Sequence, residues 1–305
     1  MDGKRAAIFR RPGRLLALLA FALSAAQALA QDEPPTLPPL PSVPTPTVPA
    51  GPASGPQTVL LSAVLTGDTK PIRTGLVWRI YRDNAGAQPE LVAKLTAPAP
   101  ATTLPPGNYI VHAAYGLASA TKRITVSSGA LREQLSINAG ALKLGGMIAG
   151  VPIEPDRLEF SIYQPQQNNP EGRLVATNVR PGDLVRLPEG SYHIVSTYGE
   201  SNAIMRADLK VDRGRITEAT LNHRAATVTL KLVDTAGGEA FAGTAFSILT
   251  PGGDVVREAI GAFPQVVLAE GEYTLIARNN GKVYTRDFRV ETGLNVDVEV
   301  LAGSG

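Results

Sequence analysis

The sequence predicts an all-β protein of three tandem β-sandwich domains, and a recurring phrase is the main reason. The pattern Leu-x-x-Gly-x-Tyr occurs three times and ends at Tyr109, Tyr192 and Tyr273, so the tyrosines stand 83 and 81 residues apart. A repeat of that length is one small domain used three times. Around each copy lie short segments in which apolar and polar residues alternate, separated by turn residues, and almost no stretch has a helical period.

The first 30 residues are expected to be an export signal. A basic start is followed by an apolar run, Leu15 to Ala26, and then by small residues that permit cleavage after Ala30. The run is short for a membrane span, and the alternative is an uncleaved anchor or a buried helix. After cleavage the protein is expected not to span a membrane and to be periplasmic or secreted.

Charge and cysteine content exclude several classes of protein. Outside residues 1–30 the chain has 24 basic and 26 acidic residues, so it carries no basic excess that would favour nucleic acid. It contains no cysteine, which excludes thiol catalysis and cysteine metal sites. An exported protein without disulfides must rely on a proper apolar core in each domain.

A proline-rich linker is expected at residues 31–57. Ten of the 25 prolines of the chain lie between Pro34 and Pro56. Such a segment cannot bury enough apolar surface to fold, so we expect a disordered, extended spacer with polyproline II character. The alternative is a proline-rich ligand for an aromatic groove.

Three β-sandwich domains follow, at residues 58–140, 141–224 and 225–302. Each opens with an apolar strand: Thr58–Leu65, Leu142–Ile148 and Thr227–Val233. In the second strand of each domain, alternation predicts that three pairs of residues face the core: Trp78 with Ile80, Phe160 with Ile162, and Phe246 with Ile248. The same alternation points Tyr81 and Tyr163 outward.

A shorter strand, such as Leu91–Leu95 or Leu174–Thr177, is expected before each leucine phrase. The tyrosine strand follows, then a turn containing Gly or Asn-Gly, then two closing strands. In immunoglobulin-like sandwiches, a tyrosine at this place bonds back to the upstream backbone and fixes a corner. We therefore predict structural tyrosine corners at Tyr109, Tyr192 and Tyr273, in preference to a ligand site there.

The phrase, the glycine turn and the two closing strands resemble the carboxypeptidase-regulatory-like, transthyretin-like sandwich domains. Pro188-Glu189-Gly190-Ser191-Tyr192 is also similar to the PEGA domain. The resemblance covers residues 60–302 and implies an accessory or surface module without catalysis. No enzyme domain accompanies the modules here, and the pattern as a whole resembles exported proteins of Gram-negative bacteria.

No arrangement of residues predicts catalysis, a cofactor or a metal site. Ser119 and Lys122 match Ser-x-x-Lys, but that motif needs a helix and here lies at the start of a strand. Three carboxylates are interpreted as solvated charges and three histidines as surface residues. They are Glu154, Asp156 and Glu159, and His112, His193 and His223.

The outward Tyr81 and Tyr163 are the best candidates for contact with a ligand or partner. The alternative is that they cover a neighbouring domain. The first functional hypothesis is a non-enzymatic envelope protein that binds or spaces an unknown protein partner, with edge strands available for pairing. The second is a module that binds polysaccharide or peptidoglycan, and the third is a hydrolase with an unrecognised site between domains.

Overall fold

The protein is an array of three β-sandwiches. The computed structural model describes residues 55–84 and 86–303, in which every helix-or-strand element is a β-strand. Each sandwich packs a four-stranded sheet against a second sheet, which has three strands in the first and third units and four in the second, so the predicted all-β fold of tandem sandwiches is confirmed. We call the sandwiches the first, second and third units. The expected signal segment and most of the expected linker lie outside the described residues.

The strands recur in the same order in each unit. The first unit comprises β1 Gln57–Leu65, β2 Leu76–Arg82, β3 Glu90–Leu95, β4 Ala101–Leu104, β5 Gly107–Tyr115, β6 Ala118–Val126 and β7 Leu131–Ile137. The second comprises β8 Ala139–Ile148, β9 Val151–Pro152, β10 Leu158–Gln166, β11 Asn169–Val179, β12 Leu184–Pro188, β13 Gly190–Tyr198, β14 Ile204–Val211 and β15 Ile216–His223. The third comprises β16 Ala225–Val233, β17 Thr244–Leu249, β18 Val255–Gly261, β19 Gln265–Ala269, β20 Gly271–Asn279, β21 Lys282–Val290 and β22 Val296–Leu301.

The two sheets of each unit have a fixed strand order. In the first unit they are β4-β1-β7 and β3-β2-β5-β6, and the other units repeat this as β12-β8-β15 with β11-β10-β13-β14 and as β19-β16-β22 with β18-β17-β20-β21. The opening strand runs parallel to the closing strand, as in β1 with β7. The first and last strands of a unit are therefore neighbours, and each unit closes on itself before the next begins.

The core of each unit lies between its two sheets. The alternating residues of the second strand are buried, among them Trp78, Phe160 and Phe246. The tyrosine strand runs antiparallel to the second strand in the same sheet and adds its own inward residues to the core. Trp78 pairs with Ala113, and Ile162 pairs with Ile194. Three apolar clusters result, one centred on each unit, and the second also includes Ala225 and Val267 of the third unit. Burial of these side chains is the main stabilising contribution in a chain without disulfides.

The three repeated tyrosines form the same corner. Each ring is buried, and each hydroxyl donates a hydrogen bond to the carbonyl oxygen four residues upstream: Tyr109 to Pro105 at 2.8 Å, Tyr192 to Pro188 at 2.9 Å and Tyr273 to Ala269 at 2.8 Å. Pro188 and Ala269 end the strand before the tyrosine strand, and Pro105 directly follows that strand. Each tyrosine thus ties the end of one sheet to the start of the other.

The turn after the tyrosine strand meets the next unit in the first and second units. At the first junction, Leu117 N donates to the Arg186 carbonyl at 3.0 Å, and the Arg186 guanidinium lies 4.7 Å from the centre of the Tyr115 ring. A β-carbon at Gly116 would stand 2.7 Å from the Arg186 β-carbon. Glycine is required there both for the close approach and for its positive φ of 65°.

The second junction contains a longer turn. Residues 199–203, which we call the junction loop, connect β13 to β14, whereas the corresponding turns are 116–117 and 280–281. The side-chain amide of Asn202 makes two hydrogen bonds to the third unit. Its Nδ2 donates to the Tyr273 hydroxyl at 2.9 Å, and its Oδ1 accepts from Ala269 N at 3.0 Å. Glu200 pairs with Arg257 at 2.5 Å. The corner of the third unit is therefore bonded directly to the second unit.

A side-chain hydrogen bond to a corner glutamate also recurs at both junctions between units. The residue before each new opening strand bonds to the glutamate of the next corner: Asn138 Nδ2 donates to Glu189 at 3.1 Å, and Arg224 donates twice to Glu270, at 3.1 and 2.9 Å. The Arg224 guanidinium and the Thr292 hydroxyl lower the pKa of Glu270 to about 2. This carboxyl stays ionised well below the ordinary range, so its bonds persist in mild acid.

Candidate functional site

Tyr81 and Tyr163 each lie in a shallow depression on the outer face of a four-stranded sheet. Both rings are half-buried, so they are less open than outward alternation alone implies. The first depression has a volume of about 440 Å³ and the second about 360 Å³. We name them the first-unit and second-unit depressions. They occupy equivalent places, because Tyr81 and Tyr163 hold the same position in β2 and β10.

The two depressions are built from the same kinds of side chain. The first-unit depression is lined by Arg79, Tyr81, Pro89, Ile110, His112 and Thr121. The second-unit depression is lined by Tyr163, Pro170, Glu171, His193, Val195 and Arg206. Each thus combines one tyrosine, one proline, one histidine, one aliphatic residue and one arginine. The proline comes from the hairpin that follows the tyrosine, and the histidine from the tyrosine-corner strand.

The histidine and the aliphatic residue exchange places between the units. Tyr81 pairs with Ile110 across the strands, whereas Tyr163 pairs with His193. The next outward position along the corner strand is His112 in the first unit and Val195 in the second. Both depressions therefore share five kinds of side chain in a different arrangement, and the sixth lining residue is Thr121 in the first and Glu171 in the second.

The two imidazoles differ in their partners. His193 Nδ1 lies 2.8 Å from Asp208 Oδ1. His112 Nδ1 is shielded from solvent and has no hydrogen-bond partner among the described residues. Burial, and secondarily the Arg79 charge, lower the pKa of His112, so this ring is neutral at pH 7. A buried nitrogen without a partner is costly to the fold.

The third unit lacks this combination. Leu249 holds the position of the tyrosine, and it pairs with Thr274 across the strands. The next outward residue on β20 is Ile276, so neither position carries a histidine. The repeated depression is therefore a feature of the first two units.

The serine, lysine and carboxylates singled out in the sequence are exposed. Ser119 and Lys122 lie on β6, and Lys122 pairs with Glu133 at 2.6 Å. Glu154, Asp156 and Glu159 are exposed, and Glu159 accepts a hydrogen bond from Asn178 N at 3.2 Å. Over residues 55–84 and 86–303, no group of three or more acidic or histidine side chains is placed to hold a metal ion.

The expectation of a surface position is wrong for His223. Its side chain is buried, with 2% exposure, and its Nε2 lies 2.7 Å from the hydroxyl of the buried Ser196. The residue ends β15, where strand alternation points it into the core of the second unit. The hydroxyl of Ser196 satisfies the ring nitrogen, which is what makes burial of the imidazole tolerable.

A larger cleft, of about 580 Å³, lies between the second and third units. Its charged lining is balanced, with three carboxylates and three guanidiniums: Asp156, Glu159 and Glu200, and Arg157, Arg180 and Arg257. Two of these arginines bind across the junction, Arg257 to Glu200 and Arg157 to the Thr227 hydroxyl at 3.2 Å. Arg257, Glu200 and Arg157 thus hold the two units together across this cleft.

Sequence reasoning identified the two tyrosines but missed the residues around them. Pro89 and Pro170 lie in hairpin segments whose path depends on bulges between the second and third strands. Arg79 and Arg206 come from different strands of their sheets. The signal that could have found them is the shared outward face, since Arg79, His112 and Thr121 form one cross-strand row.

The part of the chain that the structure describes contains no helix long and apolar enough to cross a membrane. A family model described as the Rhizobiales growth-associated tandem repeat domain matches residues 227–302, which is the third unit. No curated protein matches the chain.

Several solved structures are similar to this chain at low identity. The TIE protein of Bacillus anthracis is 17% identical with a TM-score of 0.25, and the match covers 81% of this chain and 51% of that one. A streptococcal ancillary pilin is 12% identical with a TM-score of 0.27 and coverage of 81% and 98%. The minor pilin of Streptococcus agalactiae is 12% identical with a TM-score of 0.30 and coverage of 56% and 95%. The chain thus spans about half of the Bacillus anthracis protein.

Proposed function

We propose that this protein is a non-enzymatic, exported cell-envelope protein that binds or spaces a protein partner. The observation that carries the proposal is the tyrosine depression repeated in the first two units. A surface used once could arise from packing alone. The same five kinds of side chain, assembled twice in different arrangements, favour a shared binding role.

The composition of the depressions favours a protein partner over a sugar. Tyrosine and arginine dominate the energetically important residues of protein interfaces, and proline and aliphatic groups supply apolar contact around them. Sugar binding by stacking needs an open ring face. Tyr81 and Tyr163 are half-buried, so each offers only part of its ring.

Two sites on one array also provide bivalency. If one partner or one assembly engages both depressions, the second contact forms at a raised effective concentration. Weak single contacts then add up to stable attachment. This explains why a protein built of spacer-like units would repeat a modest surface instead of enlarging it.

We also propose that the protein has an export signal over residues 1–30, a proline-rich spacer over 31–57, and three domains at 58–140, 141–224 and 225–302. We propose that it lies in the periplasm or outside the cell. The resemblance to carboxypeptidase-regulatory-like and PEGA modules supports an accessory role without catalysis.

Chemical crosslinking in the native cell envelope, followed by mass spectrometry of the captured material, tests this function. We expect one dominant protein partner, with crosslinks that map to the outer sheets of the first two units. Recovery with insoluble wall or polysaccharide, and without a specific protein, would instead favour the glycan-binding alternative.

A further inference from the structure

A polar pair in the core of the second unit distinguishes it from its neighbours. Ser196 and His223 are 0% and 2% exposed, and Ser196 Oγ lies 2.7 Å from His223 Nε2. Ser196 is the fourth residue after a corner tyrosine, and His223 ends the closing strand. The residues at these positions in the other units are apolar: Ala113 with Ile137 and, by the same pairing register, Ala277 with Ala302. The fold therefore does not require a polar pair here.

The surroundings of the imidazole do not suit a charge. Tyr198 packs against it edge to face, with ring centres 6.0 Å apart. Ile148 of the parallel strand β8 lies opposite it in the sheet. The charged group on the Tyr198 side is a cation, Arg157, at 5.2 Å from the centre of the tyrosine ring. Arg224, next in the chain, points to Glu270. None of the contacts among described residues brings a carboxylate to His223.

The pair connects directly to the junction loop. The loop begins after Tyr198, and Tyr198 N donates to the carbonyl of Ala203 at 2.9 Å, which closes the loop on itself. Asn202, next to Ala203, makes the two hydrogen bonds to the corner of the third unit. The one charged residue of the loop, Glu200, is paired with Arg257. The imidazole thus lies against Tyr198, whose backbone is bonded to Ala203, the neighbour of Asn202.

We propose that protonation of His223 releases the junction loop from the third unit, so that the junction between the second and third units opens in acid. A positive charge on His223 would be buried without a counter-charge, and movement of the ring toward solvent displaces Tyr198 and Ala203. This opening does not depend on the identity of the partner, because it concerns only the contact between the second and third units.

The direction of the pH dependence follows from the burial. Desolvation lowers the pKa of His223 below its ordinary value of 6.5, against a smaller opposing effect of the Ala203 backbone. The open form, in which the ring meets water, binds the proton more readily than the closed form. The closed junction is therefore fully favoured above the ordinary pKa and loses stability as the pH falls below it.

Distance measurement between two spin labels tests the proposal in the full chain. The chain has no cysteine, so Arg213→Cys in the second unit and Glu239→Cys in the third unit give specific labelling at exposed positions. We expect one narrow distance distribution at pH 7.5 and a second, broader population that grows as the pH falls from about 6.5 to about 4.5. A distribution that stays unchanged over this range would overturn the proposal.

The first unit supplies the matched control. Ser196→Ala combined with His223→Ile installs the residues that the first unit has at these positions, and this variant should keep the narrow distribution at every pH. Acid opening that is identical in the variant and the parent would assign the effect to other groups. If the variant does not fold, NMR titration of the parent decides. The Asn202 side-chain amide must then change with the same apparent pKa as the His223 ring, and independent titration of the two would refute the coupling.

Discussion

Tyr192→Ala will unfold the second unit, whereas Tyr192→Phe will leave it folded. The ring is 1% exposed and lies in the apolar cluster of its unit, and its hydroxyl donates to the Pro188 carbonyl. Truncating a buried aromatic ring to alanine costs about 3–5 kcal/mol, which is comparable to the whole stability of a small domain. Removing the hydroxyl alone costs about 0.5–1.5 kcal/mol.

The single tryptophan makes this measurement specific. Trp78 lies in the first unit and is completely buried, so its fluorescence reports unfolding of that unit alone. In urea, we expect Tyr192→Ala to lack the transition of the second unit that Tyr192→Phe shows in circular dichroism, whereas the tryptophan transition is the same in both variants. Equal midpoints for Tyr192→Ala and Tyr192→Phe would mean that Tyr192 is not a structural residue.

Gly199→Ala will cost much more stability than Gly214→Ala, although both glycines have a φ of 68°. The strain of a left-handed residue, about 1–2 kcal/mol, is common to both substitutions. A β-carbon at Gly199 would stand 2.7 Å from the β-carbon of Val267 in the third unit, whereas nothing lies within 4 Å of one at Gly214. The valine β-carbon is fixed to the backbone, so one unit must shift.

Comparing these two variants isolates the contact between units. We expect the free energy of unfolding of Gly199→Ala to fall by about 1–3 kcal/mol more than that of Gly214→Ala, as is typical of overpacking. We also expect protease cleavage near the junction to become faster in Gly199→Ala only. Equal losses in the two variants would show that the second and third units are not held in contact through this turn.

The sequence reveals most of the fold because the determining signals are local and repeated. Alternation in Trp78-Arg-Ile80 and its two counterparts identifies the core face, and the tyrosine phrase marks each crossing between sheets. The parallel pairing of β1 with β7 is not visible in the sequence, because it joins segments separated by a whole domain. The strand predicted at Leu174–Thr177 is longer, Asn169–Val179, since pairing with β10 extends it past the alternating residues.

The site is harder to predict because its parts are distant in sequence. Tyr81 can be assigned to an outer face from alternation alone, but Pro89 and His112 reach it only through the hairpin bulge and the register of β5. His223 is a clearer case. Its burial depends on the hydroxyl of Ser196, which is 27 residues away on another sheet. No short pattern around His223 contains that information.

Envelope crosslinking repeated with variants tests most directly whether the first two units bind a partner through Tyr81 and Tyr163. Tyr81→Ala combined with Tyr163→Ala should reduce capture of the partner by about tenfold or more, because truncating an aromatic anchor commonly costs at least about 2 kcal/mol of binding. Leu249→Ala, at the equivalent position of the third unit, should leave capture unchanged, and both variants should unfold at nearly the parental denaturant concentration. Undiminished capture by the double variant, or unfolding of its first two units, would instead identify these tyrosines as packing residues.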